Sequence, residues 1–260
     1  MVESRHVGPL AVQRAFYPEG KDLAHIYLLH PPGGLVSGDR LDVALTLEDG
    51  AQVLCTTPGA GRVYRARPDR TLQEQYNTLT LAPGAALEWF PQELIVYPDA
   101  RAKMDTRIDL ADGAYFAGWD IAVLGLPASG QLFTTGELQQ RFLLTHANKP
   151  VLSERLMLNM ADASLFHAKA GLQSFAVNGL FIAGPYSEAQ LAQLPHDSLQ
   201  QHALQDANAQ SRIGRLGQFM VGRYLGNCAQ EARRCFLAWW AILRPILLNR
   251  PLCLPAIWST

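Results

Sequence analysis

A mainly β fold of stacked layers, β-solenoid-like, with about two α-helices in its C-terminal part, is predicted by three observations. Leu45-x-Leu47-x-x-Gly50-Ala51, Leu79-x-Leu81-x-x-Gly84-Ala85 and Ile108-x-Leu110-x-x-Gly113-Ala114 spell one pattern three times, about thirty residues apart. Each copy is a strand with period-two alternation, a tight turn at Asp49-Gly50, Pro83-Gly84 or Asp112-Gly113, and a second strand. Helical spacing, by contrast, is confined to residues beyond Ser187. Hairpin-like units at near-constant spacing suit layers that bury their faces on one another, and an ordinary β-sandwich is the alternative.

Ahead of the repeats lies His30-Pro31-Pro32-Gly33-Gly34-Leu35-Val36-Ser37-Gly38-Asp39-Arg40-Leu41, between two apolar strand-like runs. Its prolines restrict φ and remove donors, while its glycines permit positive φ or close backbone approach, so one rigid path is expected. No Lys followed by Ser or Thr comes after Gly38, which excludes a Walker phosphate loop and argues against nucleotide hydrolysis. After the repeats, Ser187-Glu188-Ala189-Gln190 reads as a capping box opening a polar surface helix that runs to about Ala209 and is interrupted by Pro195. Asn227 is placed to cap a second helix from about Cys228 to Leu243. There Ala232, Cys235, Phe236, Trp239, Trp240 and Leu243 share one apolar face. Trp239 and Trp240 have two readings, packing against the β layers or docking a partner.

With 260 residues, 48% of them hydrophobic, the chain can bury a large core as one domain or two smaller ones. A net charge of −1 and the lack of a basic block argue against a nucleic-acid partner. Cys55, Cys228, Cys235 and Cys253 form no C-x-x-C pair and suit buried thiols in a reducing, cytoplasmic compartment. The N-terminus shows no apolar signal core, and the apolar run from Phe236 to Leu248 is broken by Arg244 and Pro245, so no membrane segment is expected.

Candidate chemistry lies in acids set among apolar residues. Asp39 closes the glycine-rich turn, Asp120 interrupts the run from Phe116 to Leu124, and Glu154 precedes Arg155 in a strand-like run. A buried carboxylate must be hydrogen-bonded, paired or bound to a cation. Pairing with Arg40, Arg101 or Arg155 is the structural alternative. His196 and His202 lack i, i+4 spacing, and the remaining histidines are isolated; only His30, beside the glycine-rich turn, stands as a candidate metal ligand. Paired acids on a β scaffold also suit glycoside hydrolysis, with Trp89, Trp119 and Tyr97 as sugar platforms.

The HPPGG-x-x-x-GD segment of residues 30–39 resembles the signature of the urease accessory protein UreD (UreH) family. Further blocks resemble that family in its order: His6-Val7-Gly8-Pro9-Leu10 with Gln13-Arg14 and Phe16-Tyr17-Pro18, then Thr57-Pro58-Gly59-Ala60 with Tyr64-Arg65. Leu87-Glu88-Trp89-Phe90-Pro91-Gln92, Trp119-Asp120 through Leu124-Gly125, Glu154-Arg155-Leu156, Leu243-Arg244-Pro245 and Pro255-Ala256-Ile257-Trp258 complete the series. The resemblance spans almost the whole chain and implies one domain over residues 1–260, β-rich over 1–185 and helix-containing over 186–260. It is loose over much of 160–225.

What the resemblance implies is a nonenzymatic scaffold for nickel insertion into apo-urease. Such a scaffold binds the urease and the accessory protein UreF, and through UreF the GTPase UreG. No cofactor is held tightly, and nickel passes through an internal channel. A conduit needs weak, labile oxygen ligands, because a tight His or Cys site traps the ion. Asp39, Asp120 and Glu154 fall in matched blocks and suit that path, while His30, Pro31, Pro32, Gly33, Gly34 and Gly38 form the structural signature. A scaffold for protein interaction without metal traffic is the alternative. Two departures stand out. Family members carry a further N-terminal segment with an early strand, so either the start is truncated or one β layer has an open edge. Gly61-Arg62-Val63 replaces a small polar residue, Lys and an aromatic, leaving Arg62 to carry the charge.

Overall fold

The computed structural model describes residues 3–204 and 208–259. The strands are β1 (Ala11–Val12), β2 (Leu23–Leu29), β3 (Arg40–Leu47), β4 (Gln52–Thr56), β5 (Gly61–Val63), β6 (Gln73–Leu81), β7 (Ala86–Phe90), β8 (Leu94–Val96) and β9 (Arg101–Leu110). They continue with β10 (Tyr115–Leu126), β11 (Gln131–Leu132), β12 (Glu137–His146), β13 (Lys149–Asn159), β14 (Val177–Gly184), β15 (Ala209–Leu216) and β16 (Phe219–Gly226). Four helices, α1 (Ser164–His167), α2 (Glu188–Ala192), α3 (His196–Gln201) and α4 (Ala229–Leu248), accompany them among the described residues.

The three sequence repeats sit in register. Leu45 pairs with Leu79 and Leu79 with Ile108, and the next inward positions, Leu47, Leu81 and Leu110, align likewise. These strands form the parallel part of a small sheet ordered β13-β12-β9-β6-β3. After each glycine turn the chain enters a large sheet whose spine runs β1-β2-β4-β7-β10-β14-β16-β15. The repeat unit is therefore a corner between two sheets and not a hairpin: β3 pairs with β6, and β4 with β2 and β7. Gly50, Gly84 and Gly113 all adopt positive φ at this corner, and Gly84 lies 3.7 Å from the Gly50 backbone as judged from where a Cβ would stand. Backbone bonds such as Gly50 N to the Pro83 carbonyl, 3.0 Å, tie successive corners. The coil ends when β13 folds back antiparallel on β12 and β14, β16 and β15 extend the large sheet antiparallel.

Residues on the two faces of the large sheet enter two cores. Val53, Cys55, Leu87, Trp89, Phe116 and Ile182 meet the leucines of the small sheet. Leu54, Phe90, Trp119, Ile121 and Phe181 meet α4, whose buried face is the predicted one. Trp239 and Trp240 are 0% and 1% exposed, so docking of a partner on them is corrected to core packing. Their indole nitrogens donate to the Leu199 carbonyl and to Glu88. Burial of each such side chain contributes about 2–3 kcal/mol.

The predicted capping box at Ser187 is present, with both of its hydrogen bonds, but α2 is short and α3 follows Pro195. Residues 205–207 of the predicted surface helix lie outside the described residues, and Ala209 opens β15 instead. Asn227 does not cap α4: Cys228 is the N-cap, and the Asn227 side chain accepts the Ala176 N–H, 3.1 Å away. Helix α4 also runs through Pro245 to Leu248, since Pro245 and Ala241, one turn earlier, are exposed and the carbonyl that loses its donor can be solvated. No helix among the described residues is long and apolar enough to cross a membrane.

Candidate functional site

Alternation along β10 puts Ala117, Trp119 and Ile121 on the α4 side and Phe116 on the side of the small sheet. Asp120, one residue past Trp119, therefore points between the sheets. Facing it, the small sheet is not uniformly apolar. Its inward rows are leucines near the glycine corners, but closer to the other end they become Val43, Asn77, Thr106, Phe142 and Glu154 in one row and Leu41, Gln75, Met104, Gln140 and Leu156 in the next. Gln75 donates to Asn77 at 3.1 Å and Asn77 to Thr106 at 3.0 Å, so a short file of amide and hydroxyl groups lies on this inward face.

Two cavities share Asp120 and Phe142, and the file lines one of them. One, of about 280 Å³, is lined by His30, Gly33, Arg62, Gln75, Asn77 and Thr106, and it ends at Asp120 and Phe142. The other, of about 440 Å³, begins at Asp120 and Phe142 and reaches Glu154, Arg155, Arg212 and Arg223. Asp120 and Phe142 belong to both walls, so the two cavities adjoin at a carboxylate.

Burial raises the Asp120 carboxyl from 3.8 to about 6, with the Gln140 amide partly offsetting that rise. Its charge is thus costly and is eased by any cation that reaches it. Glu154 is differently placed: its carboxylate is ion-paired with Arg223 from β16, and both side chains are half-exposed. In the large sheet Asp120, Leu180, Arg223 and Arg212 form one cross-strand row, so this mouth carries cationic groups. At the other mouth burial lowers the His30 pKa, with Asp39 opposing that shift.

Of the three acids singled out in the sequence, Asp120 and Glu154 line one cavity and Asp39 lines neither of the two. Asp39 accepts the Val36 N–H at 2.8 Å and closes the glycine-rich turn from which β3 departs. Gly34 has no room for a side chain, since a Cβ would stand 2.6 Å from the Tyr64 ring and 2.9 Å from the Arg62 carbonyl. His30 and Arg62 line the smaller cavity. Trp89 and Trp119 are 4% and 1% exposed and cannot serve as sugar platforms; Trp119 is stacked with Phe90 and Trp258. The residues missed from sequence are Gln75, Asn77, Thr106, Gln140 and Arg223. A signal existed: in Gln73-Glu74-Gln75-Tyr76-Asn77-Thr78-Leu79, alternation places three amides on the face that continues as Leu79 and Leu81. Among the described residues, the two cavities gather no three His, Cys, Asp or Glu ligand atoms close enough for one ion.

A family model described as "UreD urease accessory protein" matches residues 1–259. The chain is 44% identical over 265 residues to "Urease accessory protein UreD" of Marinomonas sp. (strain MWYL1), covering 99% of this chain and 84% of that protein. It is 41% identical over 260 residues to the protein of the same name from Alcanivorax borkumensis, with 100% and 85% covered. Similarity to "Urease accessory protein UreD 2" of Brucella anthropi is 38% over 265 residues, with 100% and 92% covered.

Proposed function

The chain belongs to the UreD urease accessory protein family, and from that premise we propose that it serves urease maturation as a nonenzymatic scaffold which binds apo-urease and other accessory proteins and conducts nickel through the inter-sheet passage. The partners proposed are apo-urease, UreF and, through UreF, the GTPase UreG, in the cytoplasm. The observation that carries the reading is the junction of two cavities at Asp120. Nickel is cargo here and not a resident cofactor. Amide and hydroxyl oxygens of Gln75, Asn77, Thr106 and Gln140 are weak ligands that can replace hydration water briefly, and the Asp120 carboxylate supplies the one charge along the middle of the path. Strong donors would hold the ion, whereas transit needs each site to be left as readily as it is filled.

Glu154, at the far mouth, shares one carboxylate oxygen with Arg223, which weakens it as a ligand. The same ion pair favours the second reading, a scaffold without metal traffic in which the acids are structural. The two part in one assay. Apo-urease subunits and the remaining accessory proteins are co-expressed in nickel medium with the parent chain, with Asp120→Asn or without the chain, and urease activity and nickel per active site are recorded. Conduction predicts that Asp120→Asn loses both while the partner complex still assembles; unchanged activity and nickel would leave only the scaffold.

A further inference from the structure

On the opposite face of the large sheet, three distant segments bring metal-ligating atoms together. His25 projects from β2 toward α4, Glu19 comes from the loop before that strand, and Cys253 comes from the tail after α4. One carboxylate oxygen, one imidazole nitrogen and the thiol sulfur all lie within 4.8 Å of one another. The His25 side chain is fully buried and that of Glu19 is 9% exposed.

The same pocket holds a buried guanidinium. Arg244, also fully buried, holds Glu19 through bonds of 2.7 and 2.8 Å and Glu88 through bonds of 2.9 and 2.8 Å. One guanidinium thus faces two carboxylates, and His25 is bonded to Glu19 at 2.9 Å.

We propose that Glu19, His25 and Cys253 bind one divalent transition-metal ion of borderline preference, with zinc as the reference ion, and that this ion clamps the C-terminal tail to β2. The donor set of one sulfur, one nitrogen and one oxygen matches three protein ligands around a tetrahedral ion with an open fourth position. Metal–ligand bonds of ~2.0–2.3 Å separate neighbouring ligands by roughly 3.3–3.8 Å, so the Glu19 to His25 spacing opens by about half an ångström. The ion takes the place of the proton those two now share, on the Glu19 oxygen that also accepts from Arg244 Nη2, while Arg244 Nη1 keeps the other oxygen. Cys253 loses its thiol proton to solvent, and the His25 proton moves from Nε2 to Nδ1. Nδ1 is buried without a hydrogen-bond partner, so the N–H formed there is unsatisfied and subtracts from the affinity. The site is independent of the passage, which lies across the sheet.

The test uses the purified, metal-free full chain titrated with zinc alone and with cobalt(II), following binding by competition with a chromophoric chelator and by absorption. Expected are one ion per chain, one proton released per ion, a cobalt–thiolate charge-transfer band, and a melting temperature that rises with zinc. Cys253→Ala is expected to fold, as judged by circular dichroism of the metal-free protein. It should also lose the band and at least about 100-fold in zinc affinity, whereas Cys228→Ala keeps both. Absence of binding by the parent chain, cobalt bound without the thiolate band, or undiminished affinity in Cys253→Ala would overturn the proposal.

Discussion

Replacing Asp120 by Asn should make the protein more stable and less able to mature urease. The carboxyl is raised from 3.8 to about 6 because burial disfavours its charged form. A displacement of that size corresponds to ~3 kcal/mol of charge cost once the group is ionised. Because Asp120 borders a cavity of about 440 Å³, part of that cost is recovered by hydration, and about 1–3 kcal/mol is expected to be realised. Folded Asp120 keeps its proton until about pH 6 while the unfolded chain loses it near 3.8, so parent stability falls as pH rises between these values and is level above them. Asn carries no charge at any pH and can still accept from Gln140. The variant's advantage is therefore full above about pH 7 and shrinks to about a third by pH 4.5. Thermal unfolding at about pH 8 should show a gain of roughly 2–6 °C for a chain of this size. An Asn variant that is no more stable than the parent at pH 8, or whose advantage does not shrink in acid, would refute the burial argument itself. A stable variant that activates urease normally would refute only the conduit.

Other consequences are separate from that test. Arg244→Met strands Glu19 and Glu88 in a buried pocket and should cost about 3–5 kcal/mol in urea denaturation; a loss below about 1 kcal/mol would mean the carboxylates find other partners. Glu154→Gln breaks a half-exposed pair, so its stability change should stay within about 1 kcal/mol; any loss of urease activation then belongs to the passage and not to folding. Asn77→Leu interrupts the Gln75, Asn77 and Thr106 file and should lower nickel per urease active site while the chain remains folded, as checked by circular dichroism. Gly222→Ala would set a Cβ 2.3 Å from the Trp239 ring, and a loss of about 1–3 kcal/mol with an altered near-ultraviolet tryptophan signal is expected.

Much of the architecture was legible because it rests on local rules repeated at fixed spacing. Leu45, Leu79 and Ile108 announced stacked strands through alternation, and the three glycine turns announced the corners, since only residues tolerant of positive φ sit there readily. The apolar face of α4 followed from helical spacing alone. Its cap did not: Asn227 has the right chemistry, but its side chain is claimed by Ala176 across the fold. Asp120 stood out because a carboxylate interrupts an apolar run, whereas Gln75, Asn77, Thr106 and Gln140 are ordinary strand residues until their rows are aligned.

By itself the sequence determined the period of the coil, the positions of its corners and which acids sit among apolar neighbours, because these depend on side-chain alternation and backbone sterics within a few residues. Tertiary structure alone decided that each repeat spans two sheets, that Asp120 joins two cavities while Asp39 serves a turn, and that Glu19, His25, Arg244 and Cys253 converge. Those outcomes depend on register between strands and on contacts between segments remote in the chain. Neither leaves a periodic trace in the order of residues.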